Sequence, residues 1–311
     1  MKVMITGASG QVGRALVATV PSQFEALALT RAQLDISDEC AVHAAVVGFA
    51  PDVIINAAAY TAVDRAETEP QIAEAINYHG PLNLAREAAR SSARLLHIST
   101  DYVFDGTAVS AYKPSAATNP LGVYGRTKLL GEQAVLSTLG VNGVVLRTAW
   151  VYAAEGKNFL LTMLRLMRER GAVRVVADQH GSPTLADSIA VALWGIAQRP
   201  QVHGVVHWTD EGETSWYGFA VAIAEYARAE GLLARPVLVT PITAAEYPTP
   251  ARRPANSVLD CHDSIAQLSL RPPSWRGSLR ATLAAIAASG TKTAASAASA
   301  SLGLRAEQAR G

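Results

Sequence analysis

The chain of 311 residues is half hydrophobic and 17% charged, with a net charge of +1, which is typical of a globular protein with a sizeable core. This charge balance does not indicate a nucleic-acid partner, and no apolar run is long enough to span a bilayer, so we expect neither a nucleic acid nor a membrane as partner. Cys40 and Cys261 lie far apart and predict neither a disulfide framework nor a metal knuckle. The apolar run in MKVMITGASG is too short for a signal peptide, so we expect a cytoplasmic protein that starts here.

Apolar strands alternate with helices through about residue 150. The strand segments are, in chain order, KVMITG, FEALALT, PDVIINAAA, ARLLHISTDYVF and GVVLRTAWVY. The helical segments are QVGRALVATV, ECAVHAAVVGF, EPQIAEAINYHGPLNLAREAARS (one long helix or two) and the stretch that starts at NPLGVYGRTKLLGE. This alternation predicts an α/β fold, a doubly wound parallel sheet of the Rossmann type with helices on both faces.

The pattern loosens after residue 150. GKNFLLTMLRLMRER and SWYGFAVAIAEYARAEG are helical, VRVVADQHGSPT is a strand that runs into a turn, and PITAAEYPTPARRPANS is typical of an extended surface segment. We therefore predict an NAD(P)-binding domain over 1–150 and a smaller C-terminal substrate-binding α/β lobe over 151–285, from which the chain can re-enter the first domain. Residues 286–311 are rich in Ala and Ser, and we expect a disordered tail or a frayed helix there.

Three glycines, Gly7, Gly10 and Gly13, lie in GASGQVG between the first strand and the first helix. At that place Gly7 permits a tight turn, Gly10 lets the backbone approach a pyrophosphate, and Gly13 lets the helix pack closely on the strand. The N–H groups at the helix start favour phosphate groups. Glycines also mark ordinary turns, but the position between a strand and a helix favours a dinucleotide site.

The end of the second strand bears on the choice of cofactor. NAD enzymes normally carry an acid there, whereas this chain has Thr30 and Arg31. Arg31 is placed to pair with the extra phosphate of NADP, and a solvated surface arginine is the alternative. We therefore expect NADPH, with NADH as the second choice. Asp35 either hydrogen-bonds the adenine amino group or caps the helix that begins near Ser37.

Tyr124 and Lys128 are four residues apart in YGRTK, so they share one face of a helix. A tyrosine can protonate a carbonyl oxygen when the carbon receives hydride, and a nearby ammonium lowers the tyrosine pKa toward working pH. YxxxK also arises by chance, but STDYVF ends the preceding strand and brings the Thr100 hydroxyl to the sheet edge where such folds bind ligands. The alternative is that the Thr100 hydroxyl only forms a hydrogen bond that ends the strand. His97, within an apolar strand, is typical of a core histidine, and His180 lies in a turn with no required role.

The glycine loop, the NAAA segment at 56–59, STDYVF and YxxxK together resemble the extended short-chain dehydrogenase/reductase superfamily. PDVIINAAAYTAVDRAETEP, STDYVFDG, NPLGVYGRTKLLGE, RTAWVYA, DQHGSPT and YPTPARRPANS resemble one family within it, the dTDP-4-dehydrorhamnose reductases, from residue 1 to about 285. The resemblance implies NADPH-dependent reduction of the C4 keto group of dTDP-4-dehydro-β-L-rhamnose, the last step of dTDP-L-rhamnose biosynthesis. The alternatives are another nucleotide-sugar epimerase or 4-keto reductase of this superfamily, or a non-catalytic regulatory subunit on the same fold.

The resemblance also assigns roles to individual residues. It implies that Tyr124 donates the proton, that Lys128 tunes it and binds the nicotinamide ribose, and that Thr100 hydrogen-bonds the carbonyl oxygen. The further site residues that it implies are Gly10, Gln11, Val12, Ala57, Ala58 and Ala59 for the cofactor and Asp101, Trp150, Arg253 and Asn256 for the nucleotide sugar. Trp150 has the alternative role of a buried aromatic at the edge of the sheet.

Two positions depart from the family pattern. Some members carry a glutamate early in the first helix that takes part in a magnesium-linked dimer, and this chain has Arg14 and Ala15 there. We therefore doubt a Mg²⁺ site, predict no metal ligands, and expect a monomer or a homodimer. Ile98 stands where some relatives have a polar aromatic residue near the cofactor, and strand packing explains it.

Overall fold

The computed structural model describes residues 1–289. Its strands are β1 (Lys2–Thr6), β2 (Glu25–Leu29), β3 (Val53–Asn56), β4 (Arg94–Thr100), β5 (Gly143–Thr148), β6 (Val151–Tyr152), β7 (Ala172–Val176), β8 (His180–Gly181), β9 (Thr184–Leu185), β10 (Gly204–His207), β11 (Thr214–Ser215) and β12 (Leu238–Ile242). Its α-helices are α1 (Gln11–Ala18), α2 (Glu39–Phe49), α3 (Val63–Ala66), α4 (Pro70–Glu74), α5 (Gly80–Ser91), α6 (Val123–Leu139), α7 (Phe159–Arg170), α8 (Ala186–Ala197), α9 (Trp216–Ala229), α10 (His262–Leu268) and α11 (275–289). Within the described residues, no helix has the length and apolar character needed to cross a membrane.

Six strands form the central sheet in the order β10-β5-β4-β3-β1-β2. All neighbouring strands in it are parallel, so the predicted Rossmann-type sheet is confirmed. The chain order reverses between β1 and β3. The loops that follow these two strands therefore diverge and leave a crevice at the carboxyl edge of the sheet, where open α/β sheets bind their ligands.

Helices cover both faces of this sheet. Val3 and Ile5 of β1 belong to a core that α1 and α8 complete, whereas Met4 between them belongs to the core under α2, α5 and α6. Successive strand residues point to opposite faces, so a strand covered on both sides is apolar throughout. Sequence analysis predicts neither α8 nor β10. Both fall in the range predicted for the second lobe, yet β10 pairs with β5 and α8 packs against the sheet.

A second core lies in the C-terminal lobe, which consists of α7, α9, α11, β7 and β12. Buried aromatic and aliphatic side chains of the three helices surround Tyr152, and Phe219 and Trp275 meet edge to face. β12 pairs with β7 in parallel, so part of the segment predicted to be extended is a strand. Residues 286–289 of the predicted disordered tail are helical in α11, and the rest of that prediction lies outside the described residues.

The segment 69–91, predicted as one long helix or two, is one continuous helical run from Pro70 with a π turn, Ala75–His79, between α4 and α5. The turn places Asn77 against the loop after β3, where its Oδ1 accepts from Tyr60 N at 2.8 Å and its Nδ2 donates to Tyr60 O at 3.0 Å. Asn77 Nδ2 also lies 3.2 Å from Thr127 Oγ1 of α6. Such turns occur mostly as single insertions in α-helices, and this one joins two of the segments that surround the crevice.

Candidate active site

A cleft of about 1410 Å³ follows the carboxyl edge of the sheet and extends between the sheet and the lobe. The loops after β1, β3, β4 and β5 line one side, and residues of α7, β7 and β12 line the other. The predicted site residues that line it are Gly10, Gln11, Val12, Ala57, Ala59, Thr100, Asp101, Tyr124, Lys128, Trp150 and Arg253. The fold therefore brings together residues from six separate segments of the sequence.

The glycine loop forms a close-packed cradle at one end of the cleft. Gly7 has a φ of +70°, and a Cβ there would lie 2.5 Å from Ala58 N, so a side chain does not fit between the loops after β1 and β3. A Cβ on Gly13 would lie 2.1 Å from Gly7 O, so α1 can start this close only with glycine. The first intrahelical bond runs from Arg14 N to Gly10 O. The amides at 11–13 thus have no partner within the helix and fit a diphosphate.

Close packing also brings α6 to the end of β4. Glu67 Oε1 accepts from Val123 N at 2.8 Å and fixes the first turn of α6. A Cβ on Gly125 would lie 2.2 Å from Tyr102 O, so the helix backbone lies directly against the turn that follows β4. This contact places Tyr124 and the turn residues in one wall of the cleft.

Tyr124 is held as a phenol with a high pKa. Burial raises the pKa of Tyr124 to about 12, the Thr100 hydroxyl opposes this shift, and the charge of Asp101 adds to it. Thr100 Oγ1 accepts from Tyr102 N at 3.2 Å and donates to Asp101 Oδ1 at 3.0 Å. Burial therefore dominates the pKa of Tyr124, and the lowering of this pKa by the Lys128 ammonium stays a prediction.

Lys128 is buried and held by two contacts from β4. Its Nζ donates to Ile98 O at 2.6 Å and lies 3.2 Å from His97 Nε2. Burial lowers the pKa of Lys128 to about 7, and the charge of Glu132 opposes this shift. The lysine therefore exchanges its proton near neutral pH, unlike an exposed lysine.

Asp101 follows Thr100 in the cleft wall and is also buried. Burial raises the pKa of Asp101 to about 6, and hydrogen bonds from Ser257 and Thr100 oppose the shift. Its Oδ2 has no hydrogen-bond partner among residues 1–289. A buried carboxylate oxygen without a partner is costly, and a hydroxyl group of a ligand in the cleft would satisfy it.

Trp150 has a φ of +47°, in the left-handed region, and its indole lies between two flat surfaces. Its ring stacks on Trp216 with centroids 3.5 Å apart and 4° between the planes, and a Cβ on Gly181 would lie 2.5 Å from the Trp150 ring. Sequence analysis missed Trp216, which lines the same cleft. A tryptophan at a helix start is equally typical of a core residue, so only the tertiary contact identifies it.

Arg253 and Asn256, both predicted to bind the nucleotide sugar, differ in position. Arg253 lines the cleft, and its Nη2 pairs with Asp64 Oδ2 at 2.8 Å. Asn256 does not line it, because its Nδ2 donates to Ala108 O at 2.8 Å and its Oδ1 accepts from Val258 N at 3.0 Å. The Asn256 side chain thus braces the backbone, and its contact with the nucleotide sugar stays a prediction.

Arg31 and Asp35 lie outside the cleft lining and form an exposed pair, with Arg31 Nη2 3.9 Å from Asp35 Oδ2. Asp35 Oδ1 accepts from the backbone N and the Oγ of Ser37, which lowers the Asp35 pKa. The expectation that Asp35 caps the next helix is wrong, because Asp38 is the N-cap of α2 and accepts from Ala41 N. Arg31 at the end of β2 stays a prediction for the NADP phosphate.

Ala58 is a further predicted residue that does not line the cleft. Its backbone N donates to Asn56 Oδ1 at 3.1 Å, and its methyl group packs against the core under α2 and α5. Ala57 and Ala59 on either side do line the cleft. Ala58 therefore packs on the core side of the segment that is predicted to contact the cofactor.

The position at which some family members place a glutamate is used differently here. Arg14 Nη1 pairs with Glu155 Oε2 at 2.7 Å, and Asn158 Nδ2 donates to Gln11 Oε1 at 2.8 Å. These contacts join the start of α1 to the segment before α7. Across residues 1–289 no three His, Cys, Asp or Glu side chains converge in a way that would hold a metal ion.

Comparison with known proteins agrees with this geometry. The RmlD substrate binding domain family matches residues 1–288. The dTDP-4-dehydrorhamnose reductase of Aggregatibacter actinomycetemcomitans is 43% identical over 286 residues, 90% of this chain and 97% of that protein. A probable dTDP-4,6-dihydroxy-2-methyloxan-3-one 4-ketoreductase of Streptomyces antibioticus is 42% identical, over 90% of this chain and 94% of that protein.

The solved structures include dTDP-4-dehydrorhamnose reductase from Bacillus anthracis in complex with NADP. It is 34% identical, covers 90% of this chain and 98% of its own, and superposes with a TM-score of 0.85. The chain belongs to the dTDP-4-dehydrorhamnose reductase family, whose profile is that of the RmlD substrate binding domain.

Proposed function

We propose that this protein reduces the C4 keto group of dTDP-4-dehydro-β-L-rhamnose to give dTDP-β-L-rhamnose, with NADPH as the cofactor. The observation that carries the proposal is that Tyr124, Thr100 and Lys128 line the same cleft as the glycine cradle, in a chain of this reductase family. At about 1410 Å³ the cleft exceeds the volume that one drug-sized ligand needs. It can therefore hold a dinucleotide and a nucleotide sugar together.

The side chains have separate tasks in this reaction. NADPH in the glycine cradle supplies the hydride that goes to C4 of the sugar. Tyr124 gives its phenolic proton to the C4 oxygen, on which negative charge develops, and Thr100 donates a hydrogen bond to the same oxygen. Lys128 binds the nicotinamide ribose and favours the phenolate that Tyr124 leaves behind.

The lobe and the loops supply the contacts to the nucleotide sugar. Arg253 is a planar cation on the cleft wall and suits the diphosphate. Asp101 accepts from a sugar hydroxyl, and Trp150, whose ring faces are covered by Trp216 and Gly181, meets the sugar with the edge of its indole. Lys157 and Arg174, which sequence analysis missed, also line the cleft; Lys157 adds positive charge there, whereas Arg174 pairs with Glu246 at 3.0 Å. Neither residue belongs to a motif, so nothing in the sequence singles it out.

An assay with purified protein tests the function. The loss of NADPH absorbance is followed with dTDP-4-dehydro-β-L-rhamnose, and the product is identified as dTDP-β-L-rhamnose. No oxidation of NADPH would contradict the proposal and favour an epimerase or a regulatory subunit. The same assay is run with a second 4-keto sugar, the substrate named for the Streptomyces 4-ketoreductase. This sugar is the matched comparison because that relative is 42% identical to this chain.

We further propose that the protein acts in the cytoplasm, where nucleotide sugars and NADPH are both supplied, as a monomer or a homodimer. Arg14 and Glu155 support an assembly that needs no metal ion, since they pair within one chain at the position of the family's metal-linked contact. Light scattering with and without EDTA measures the mass. A dimer that EDTA dissociates would contradict the proposal.

A further inference from the structure

His97 is a fully buried histidine that the proposed reaction does not use. Its ring lies between two side chains. Nδ1 is 2.9 Å from Asn56 Nδ2, and Nε2 is 3.2 Å from Lys128 Nζ. Lys128 lines the cleft, whereas His97 and Asn56 lie behind it in β4 and β3. A row of hydrogen-bonding groups therefore runs from the interior of the sheet to the candidate active site.

The Asn56 amide has only one orientation that satisfies its neighbours. The backbone N–H of Ala58 lies 3.1 Å from Asn56 Oδ1, and Thr6 Oγ1 lies 2.7 Å from the same atom. A backbone N–H can only donate, so the atom that it meets must be the amide oxygen. The amide nitrogen then faces His97, and since that group can only donate, His97 Nδ1 must accept.

This direction fixes the proton of His97. A neutral imidazole carries one proton, and with Nδ1 accepting, that proton is on Nε2. The Nε2–H bond then points at Lys128 Nζ. An ammonium has no lone pair and cannot accept, but a free amine can. Lys128 also donates to Ile98 O at 2.6 Å, which leaves the amine lone pair for His97.

We propose that Asn56 and His97 form a relay that holds Lys128 as a free amine in the cofactor-free protein, so that binding of NADPH is coupled to uptake of a proton by this lysine. His97 is thus a positioning residue that acts through Lys128. The negative charges of NADPH favour the ammonium, which must turn away from His97 to donate to the ribose. The inference rests on the proposed function only for the identity of the cofactor.

The charged groups around Lys128 are compatible with an uncharged amine. Glu132 lies one turn further along α6, but its carboxylate is bound by Arg147 of β5, with Nη2 to Oε2 at 2.6 Å. Tyr124 lies one turn earlier and stays protonated, and Asp101 at the end of β4 has a raised pKa. Among residues 1–289, Lys128 has no carboxylate partner in an ion pair. Burial lowers the pKa values of Lys128 and His97 alike, in agreement with two neutral groups.

Lysine NMR tests the state of Lys128 directly. The chain has five lysines, Lys2, Lys113, Lys128, Lys157 and Lys292. In protein labelled with ¹³C at lysine Cε, the signal that Lys128→Arg removes is expected to titrate near pH 7 in the free protein. Saturating NADPH, without any sugar, is expected to move this titration upward by about one unit or more. A titration near that of the other lysines, or one that NADPH leaves in place, would overturn the proposal.

Histidine NMR tests the relay. With ¹⁵N-labelled rings, the signal lost in His97→Gln is expected to show a neutral ring protonated on Nε2. Asn56→Asp replaces the donor with an acceptor, so the His97 proton is expected to move to Nδ1 and the Lys128 titration to rise by about one unit or more. The control Asn83→Asp places a carboxylate at another buried asparagine, which bonds Ile36 O, and should leave Lys128 unchanged.

A His97 protonated on Nδ1 in the unaltered protein refutes the relay, and this measurement needs no stable Asn56 variant. Equal shifts of Lys128 in the two aspartate variants refute it as well. Failure of the 4-keto sugar assay leaves these outcomes unaffected, because they use NADPH alone. The proposed function and this inference can therefore fail separately.

Discussion

Arg147 of β5 holds Glu132 of α6 in a buried ion pair, with Nε 2.9 Å from Oε1 and Nη2 2.6 Å from Oε2. Ser99 of β4 also donates to Glu132 Oε1 at 2.5 Å. Both charged side chains are at most 5% exposed. The pair fixes the distance between the sheet and α6, the helix that carries Tyr124 and Lys128.

Removal of one partner should be costly. Arg147→Met leaves the Glu132 carboxylate buried and unpaired, so we expect the free energy of unfolding to fall by about 3–5 kcal/mol in urea titrations. Glu132→Leu combined with Arg147→Met should recover most of this loss, because no charge stays buried. The exposed pair Arg165 and Glu169 gives the matched control, since Arg165→Met should cost less than about 1 kcal/mol. Equal losses for the two arginines would contradict the expectation.

Tyr124→Phe tests the proton donor. The change removes one hydroxyl from a buried ring, so we expect kcat to fall by about 10²–10⁴-fold while the Kd for NADPH changes little. Stopped-flow turnover and fluorescence titration with NADPH measure the two quantities. Tyr226→Phe, in the lobe core and away from the cleft, should leave both unchanged. Near-normal turnover of Tyr124→Phe would remove the tyrosine from the mechanism.

Arg31→Ala tests the preference for NADPH. If the guanidinium meets the 2′-phosphate, its loss should lower the ratio of kcat/KM for NADPH to that for NADH by about tenfold or more, because one charge-assisted hydrogen bond disappears. The exposed Arg86 of α5 provides the control variant Arg86→Ala. A ratio that stays the same in Arg31→Ala would show that another residue selects the cofactor.

The pKa of Lys128 predicts how stability depends on pH. An unfolded lysine titrates near 10.5, whereas Lys128 in the folded chain titrates near 7. Between these values the unfolded state binds more protons, so stability rises with pH from about 7 and is lost as pH falls toward 7. We expect urea unfolding of the parent protein to show this rise between about pH 7 and about pH 9.

Lys128→Met should abolish that rise and increase the stability at pH 7, since the buried amine is gone. Lys113→Met, at an exposed site, should keep the rise. A parallel pH dependence in the parent and in Lys128→Met would show that other groups cause it.

Sequence analysis placed in the cleft those residues whose position follows from a short local pattern. Gly10 follows a strand and opens a helix, and Tyr124 and Lys128 share one helical face, so neither placement needs tertiary information. The contact of Lys128 with His97 depends on how α6 packs on β4, and the stack of Trp150 on Trp216 joins residues 66 positions apart. No periodicity in the sequence specifies such contacts.

Sequence analysis missed α8 and β10 for a different reason. α8 is buried on nearly all sides, so its sequence has no polar stripe from which an amphipathic helix can be recognised. β10 has four residues, fewer than the usual strand, and its partner β5 lies some 60 residues earlier in the chain. Both belong to the sheet layer although they follow the first part of the lobe in sequence.

The return of the chain at β10 bears on how the protein can be divided. A fragment that ends at residue 150 would keep the glycine cradle and Tyr124, but it would lack β10 and α8. The hydrogen-bonding edge of β5 would be open, and the apolar face under Ile189 and Leu193 would be bare. An open edge beside an apolar face invites pairing with other chains. We therefore expect that a fragment of residues 1–150 does not fold on its own, and gene fusions or split reporters should keep 1–289 intact.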